Sequence, residues 1–196
     1  PLSTPLQALQ IQELPREVHK KGDHGGTFDA KHLLTAATQG HDMGLLSEAG
    51  MPAVADPGSS VVRAAHDLGI EVVPLVGPVS LLLALAASGL GGQNFAFVGY
   101  LPQDTTDRVQ RIRELESLAL KTGQTQLLIE TPYRNAALLQ ALTQTLQSNT
   151  RLAVSSGLTL ISARTRSELV KQWRQKPDKQ PGQPDNQTPA VFCIGR

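Results

Sequence analysis

The chain has 196 residues, 40% of them hydrophobic and 18% charged, with a net charge of +1. That is enough to bury a core in one domain or two small ones, and it argues against a disordered chain. The single cysteine, Cys193, excludes an internal disulfide framework and a cysteine-rich metal site, and it fits a cytoplasmic protein. The apolar run 75–90 is interrupted by Gly77-Pro78. It falls short of the ~20 residues that span a bilayer, so a core helix and no membrane association are expected. No signal-peptide pattern opens the sequence. Charge is uneven: residues 1–100 carry a balance of −4 and residues 101–196 one of +5. A basic half suits a polyanion such as RNA, or is an ordinary solvated surface.

In chain order, residues 9–12 alternate weakly, like a short edge strand, and residues 20–26 are polar and glycine-rich, like a linker. Apolar residues Ala30, Leu33, Leu34 and Ala37 have helical spacing, with Gly40 as a stop. An apolar run at 43–46 predicts a buried strand, followed by a Gly/Pro loop at 47–58 and a helix at 59–68. A second apolar run at 71–75 enters the turn Gly77-Pro78-Val79-Ser80, and a strongly apolar helix follows to Gly89. Two strand–loop–helix units of this kind predict an open α/β sheet, with ligands beyond the strands' carboxyl ends.

Gly91-Gly92 marks the expected boundary between lobes 1–92 and 93–196. The second lobe predicts a strand at 95–100, a long helix at 106–120 and a strand at 125–129. A helix to about Leu146, a strand at 151–155, a short helix at 167–175, a mobile polar loop at 176–187 and a closing strand at 190–194 complete it.

Several residues stand where chemistry is feasible. Gly50 lets a backbone approach a ligand closely, and Met51-Pro52 fix the path of the loop. Glu48 and Asp56 are acids that accept a proton or, for Asp56, cap a helix. Ser80 precedes an apolar helix, either as its N-cap or as a ligand contact at the helix start. Thr131 and Pro132 suit a helix start, and Tyr133 and Arg134 are suited to a base and a phosphate, or to an ordinary surface. The sequence contains no P-loop and no Gly-x-Ser-x-Gly elbow, and its histidines lack metal-ligand spacing, so no metal is expected.

Three stretches together resemble a known family. They are Ser47-Glu48-Ala49-Gly50-Met51-Pro52 with Ala55-Asp56-Pro57-Gly58, Val73-Pro74-Leu75-Val76-Gly77-Pro78-Val79-Ser80, and Glu130-Thr131-Pro132-Tyr133-Arg134, with the ending Thr188-Pro189-Ala190-Val191-Phe192 in support. The chain resembles the tetrapyrrole methylases, a family of S-adenosyl-L-methionine (SAM) dependent methyltransferases, and within it the branch of the bacterial rRNA ribose 2'-O-methyltransferases.

The resemblance implies a two-lobed α/β fold, with an open, mostly parallel sheet in the N-terminal lobe and a mixed sheet in the C-terminal lobe. It implies SAM contacts from Ala49, Gly50, Met51, Pro52, Gly77, Pro78, Val79, Ser80, Thr131, Thr159, Pro189 and Ala190. Glu48 is then the candidate catalytic base, and Asp56, Tyr133 and Arg134 are candidate substrate contacts. It also implies an RNA substrate and a homodimer, with a small tetrapyrrole as the alternative substrate. The family's opening strand and Thr-Pro loop are not recognisable in residues 1–26, and Met51 stands where the family commonly has Thr or Asp. Both departures keep open a SAM-binding homologue without activity.

Overall fold

The computed structural model describes residues 5–15, 18, 28–175 and 184–196. The chain falls into two compact units, Pro1–Gly77 and Pro78–Arg196. The sequence boundary at 92 lies one helix further on, because the apolar helix after Ser80 packs within the second unit. The expected linker at 20–26 and the stretch 176–183 of the expected loop lie outside the described residues.

In the first unit, a 3-10 turn at Lys31–Leu34 runs into a short helix, α1, at Thr35–Thr38. Gly40 ends it with φ +86°, a left-handed conformation that costs glycine little. Helix α2, Ser59–Asp67, ends at Gly69, where Ile70 N reaches back to Ala65 O at 2.9 Å. Ala30 and Leu34 meet Ala64 and Ala65 of α2 in a small core, with Phe28, Leu33, Val61, Ile70 and Val72 around it. The helical spacing read from 30, 33 and 34 is therefore the buried side of this segment.

The expected sheet of the N-terminal lobe is not formed among the described residues. No strand occurs among the described residues of the first unit, and residues 9–12 carry none either. The runs 43–46 and 71–75 have no ladder partner, and Leu46 and Leu75 are 86% and 80% exposed. An apolar run becomes a strand only when a neighbour takes up its backbone N–H and C=O groups.

The second unit is a five-stranded mixed sheet ordered β1-β2-β5-β3-β4. The strands are β1 (Phe95–Gly99), β2 (Thr125–Glu130), β3 (Arg151–Ser156), β4 (Arg164–Leu169) and β5 (Ala190–Gly195). β1 and β2 are parallel and the remaining pairs are antiparallel.

β5 is buried along its whole length, and successive residues face opposite sides as strand geometry requires. Phe192 and Ile194 face the core beneath α4 (Thr105–Thr122), α5 (Asn135–Thr145) and α6 (Val170–Gln175). Val191 and Cys193 face α3 (Ser80–Ser88), whose Leu81, Ala84 and Leu85 close the other side. The result is three layers around one sheet.

Two local expectations needed tertiary information. The segment 164–169, expected in part as helix, is edge strand β4, and helix α6 starts only at Val170. An edge strand can be polar, as Arg164-Thr165-Arg166-Ser167-Glu168 is, because only one of its edges is paired. Asp104, not predicted as a cap, caps α4 by accepting from Thr106 N at 2.8 Å and Asp107 N at 3.0 Å.

Candidate cofactor and substrate site

In the first unit, the loop 47–58 is held by its own contacts. Ser47 Oγ donates to Ala49 O at 2.8 Å and bonds the Asp56 carboxylate across the loop. Asp56 therefore pins the loop and does not cap α2, whose N-cap is Gly58. Four residues of this loop have left-handed backbone: Gly50 (φ +81°), Ala53 (+64°), Ala55 (+57°) and Gly58 (+135°).

Alanine pays for that conformation where glycine does not. A methyl group at Gly58 would lie 3.2 Å from Ala53 N, whereas at Gly50 and Gly77 it would meet no atom within 4 Å. The space beside Gly50 and Gly77 is thus open to a ligand, and Gly50 is demanded by its φ. Glu48, Ala49 and Gly50 are exposed, and Met51 and Pro52 half-buried.

In the second unit, one end of the sheet collects the remaining candidates. Glu130 at the end of β2, Ala190 at the start of β5 and Ser156 at the end of β3 lie side by side in register. Thr131, Pro189 and the turn 157–160 follow directly from these three strand ends. Gly157 N donates to Pro189 O at 3.1 Å, joining two of them. Thr159 in that turn is β-branched yet has φ +73°, an uncommon and costly conformation.

Helix α3 lies on one side of the sheet, where Val79, Ile129 and Leu158 each border the cluster of Leu81, Leu85 and Val191. Its other end lies by Gly195, where an added methyl would stand 2.7 Å from Leu90 Cδ2. The N-cap of α3 is Val79, in extended conformation and without a side-chain bond. Ser80 is accordingly the first helical residue and not the cap, and the free N–H groups of that turn have no side-chain acceptor.

The motif at 130–134 forms a closed set of bonds. Glu130 Oε1 accepts from Thr131 N at 2.8 Å, from Thr131 Oγ1 at 3.2 Å and from Arg134 Nη2 at 2.9 Å. Arg134 Nε donates to Thr131 Oγ1 at 3.1 Å. Thr131 spends its hydroxyl here and makes no capping bond to the 3-10 turn Pro132–Arg134. Tyr133 is exposed, with the Arg134 guanidinium 5.4 Å from its ring centre.

Glu130 enters the sequence reading only as part of the motif at 130–134, without a role, and Asn135 does not enter it. Glu130's role depends on Arg134 folding back one turn, and that of Asn135 on residues some fifty positions away. Two surface hollows of about 570 and 970 Å³ run along α4 by Arg113, Ser117 and Lys121. They contain none of the candidate residues. Among the described residues, no three His, Cys, Asp or Glu side chains are grouped to hold a metal ion. No helix among them is long and apolar enough to cross a membrane.

A family model described as Tetrapyrrole (Corrin/Porphyrin) Methylases matches residues 6–171. The chain belongs to the tetrapyrrole methylase family. The match covers most of the chain, including the loop 47–58, the turn at 77–80 and the motif at 130–134. The ribosomal RNA small subunit methyltransferase I of Mesorhizobium japonicum is 36% identical over 137 residues, covering 70% of this chain and 45% of that protein. The protein of the same name from Synechocystis is 36% identical over 154 residues, covering 79% and 53%. The chain thus spans about half the length of the relatives it matches. The crystal structure of the methyltransferase CobJ shares its fold with a TM-score of 0.52 at 20% identity, over 85% of this chain and 70% of that one. Family and α/β fold are those the sequence motifs indicated.

Proposed function

We propose that this tetrapyrrole methylase transfers a methyl group from SAM to RNA, at a ribose hydroxyl. The observation that carries the reading is the gathering of Thr131, Thr159, Pro189 and Ala190 at one sheet end, in a chain whose relatives are named as rRNA methyltransferases.

The groups present fit a sulfonium cofactor. The second unit offers hydroxyls and backbone donors and acceptors at this end, including the uncapped first turn of α3. Arg134 at this end is paired with the Glu130 carboxylate, which offsets its charge. A positive sulfur there meets no uncompensated charge from Arg134. SAM supplies an activated methyl group, so the protein's work is chiefly alignment.

In this reading Thr131, Thr159, Pro189 and Ala190 hold the adenosyl part, with Pro78, Val79 and Ser80 beside it. The first unit by itself offers SAM backbone contacts from Ala49, Gly50, Met51, Pro52 and Gly77, where a methyl group at Gly50 or Gly77 would meet no atom within 4 Å. Glu48 takes the proton from the attacking hydroxyl. Tyr133 stacks on a base and the N–H groups of Arg134 not used on Glu130 and Thr131 bond a phosphate, with Asp56 a further substrate contact. A homodimer acting in the cytoplasm completes the proposal.

The test is transfer of a labelled methyl group from SAM to total RNA, run beside calorimetry with S-adenosylhomocysteine (SAH). Binding together with labelled RNA supports the reading, and label in a small tetrapyrrole instead redirects it. A SAM-binding homologue without transfer is favoured by one observation, the missing ladder along 43–46 and 71–75. Binding without labelled product selects it.

A further inference from the structure

Asn135 is completely buried at the first position of α5. Burying an amide is unfavourable unless its polar atoms find partners. Both protons of its Nδ2 are used, one on Asp185 O at 3.1 Å and one on Thr188 O at 2.9 Å. The amide orientation follows, because turning it over would set its oxygen against two carbonyl oxygens. Its Oδ1 is left buried without a hydrogen-bond partner among the described residues. A leucine or alanine there would avoid that cost, so the donor pair is what the position retains.

The segment gripped by Asn135 is itself closed. Asp185 Oδ1 accepts from Gln187 N at 2.9 Å and Thr188 N at 2.6 Å, and Asp185 Oδ2 from Thr188 Oγ1 at 3.1 Å. Asn186 Oδ1 takes the Ala136 N–H of α5 at 3.2 Å. The chain then passes straight into Pro189, bonded to Gly157, and Ala190. On its other side Asn135 adjoins the Glu130–Thr131–Arg134 set. One side chain stands between the turn bearing Tyr133 and Arg134 and the backbone bearing Pro189 and Ala190.

We infer that Asn135 is a positioning residue that fixes the backbone 188–190 for the adenosyl part of the cofactor and ties it to the Tyr133–Arg134 turn. It touches neither cofactor nor RNA; it acts through Thr188. The inference rests on the methyl-transfer reading above.

The test is SAH affinity by calorimetry on the full chain, for the wild type, Asn135→Ala and Leu142→Ala. Leu142 is a buried core residue of the same helix, seven residues after Asn135, so Leu142→Ala reports general loss of stability. Asn135→Ala is expected to weaken SAH binding about tenfold, and Leu142→Ala by less than about twofold, while both lower the unfolding temperature. Equal affinity of Asn135→Ala and wild type overturns the inference and leaves the methyl-transfer reading standing. An equal loss in both variants overturns it as well, since the effect is then mere destabilisation. Failure of the folded wild type to bind SAH overturns the reading and the inference together. Should Asn135→Ala not fold, the exposed Asp185→Ala decides: a loss of about threefold or more supports the inference, and unchanged affinity overturns it.

Discussion

Arg134 returns one helical turn to bond Glu130 at 2.9 Å, and the two side chains are 27% and 6% exposed. The carboxylate is the more buried partner, and it also holds Thr131 N and Oγ1. Removing Arg134 leaves that charge without its counter-ion. Arg134→Ala is expected to lower stability by about 2 kcal/mol in chemical denaturation. Arg134→Lys restores little, because an ammonium cannot serve Glu130 and Thr131 Oγ1 with two fixed donors. Full recovery by lysine would show that charge alone is at work.

The loop 47–58 carries strain that glycine relieves. Ala53→Gly and Ala55→Gly remove a left-handed penalty of about 1–2 kcal/mol each, against about 0.5–1 kcal/mol of added chain entropy. Each is expected to leave the unfolding midpoint unchanged or slightly higher. Gly58→Ala does the reverse, because its φ of +135° and the nearby Ala53 N both oppose a methyl group. A lower midpoint for both Ala→Gly variants would mean the loop is not held in this form.

Asp185 is held below the ordinary carboxylate value of 3.8, first by the backbone N–H of Gln187, then by the N–H and hydroxyl of Thr188. Its folded pKa is depressed, so its contribution is complete above 3.8 and disappears as the pH falls through the lowered value. Hydrogen exchange at Gln187 and Thr188 should show protection that is lost in that acid range, after correction for intrinsic rates. In Asp185→Asn the acid-dependent part should vanish, and its persistence would assign the titration to another group.

Cys193 lies between sheet and α3, and burial pushes its thiol from 9.0 up to about 12. The folded state keeps the proton that the unfolded chain gives up above pH 9, so this residue's contribution declines as the pH rises from 9 towards 12. A thiol reagent at pH 8 should label native protein only at the rate of opening, and denatured protein at once. Fast labelling of the native chain would contradict the packing of β5 against α3.

The residues themselves determined the second unit's central elements. The run at 190–194 reads as a closing strand, and the Val109/Ile112/Leu115/Leu118 spacing reads as one helix side, although Leu118 is exposed in the structure. Each signal is local, because side-chain period and burial follow directly from backbone geometry. The motifs at 47–58, 77–80 and 130–134 likewise identified the family before any coordinates. What tertiary structure decided is where distant partners meet. Strand β4 exists because β3 pairs with it, and among the described residues no strand pairs with 43–46 or 71–75. The roles of Glu130 and Asn135 depend on bonds closed by folding, one across a turn and the other across about fifty residues. A hydrogen bond between distant residues leaves no period in the sequence, so the position of such a side chain is known only once the chain has folded.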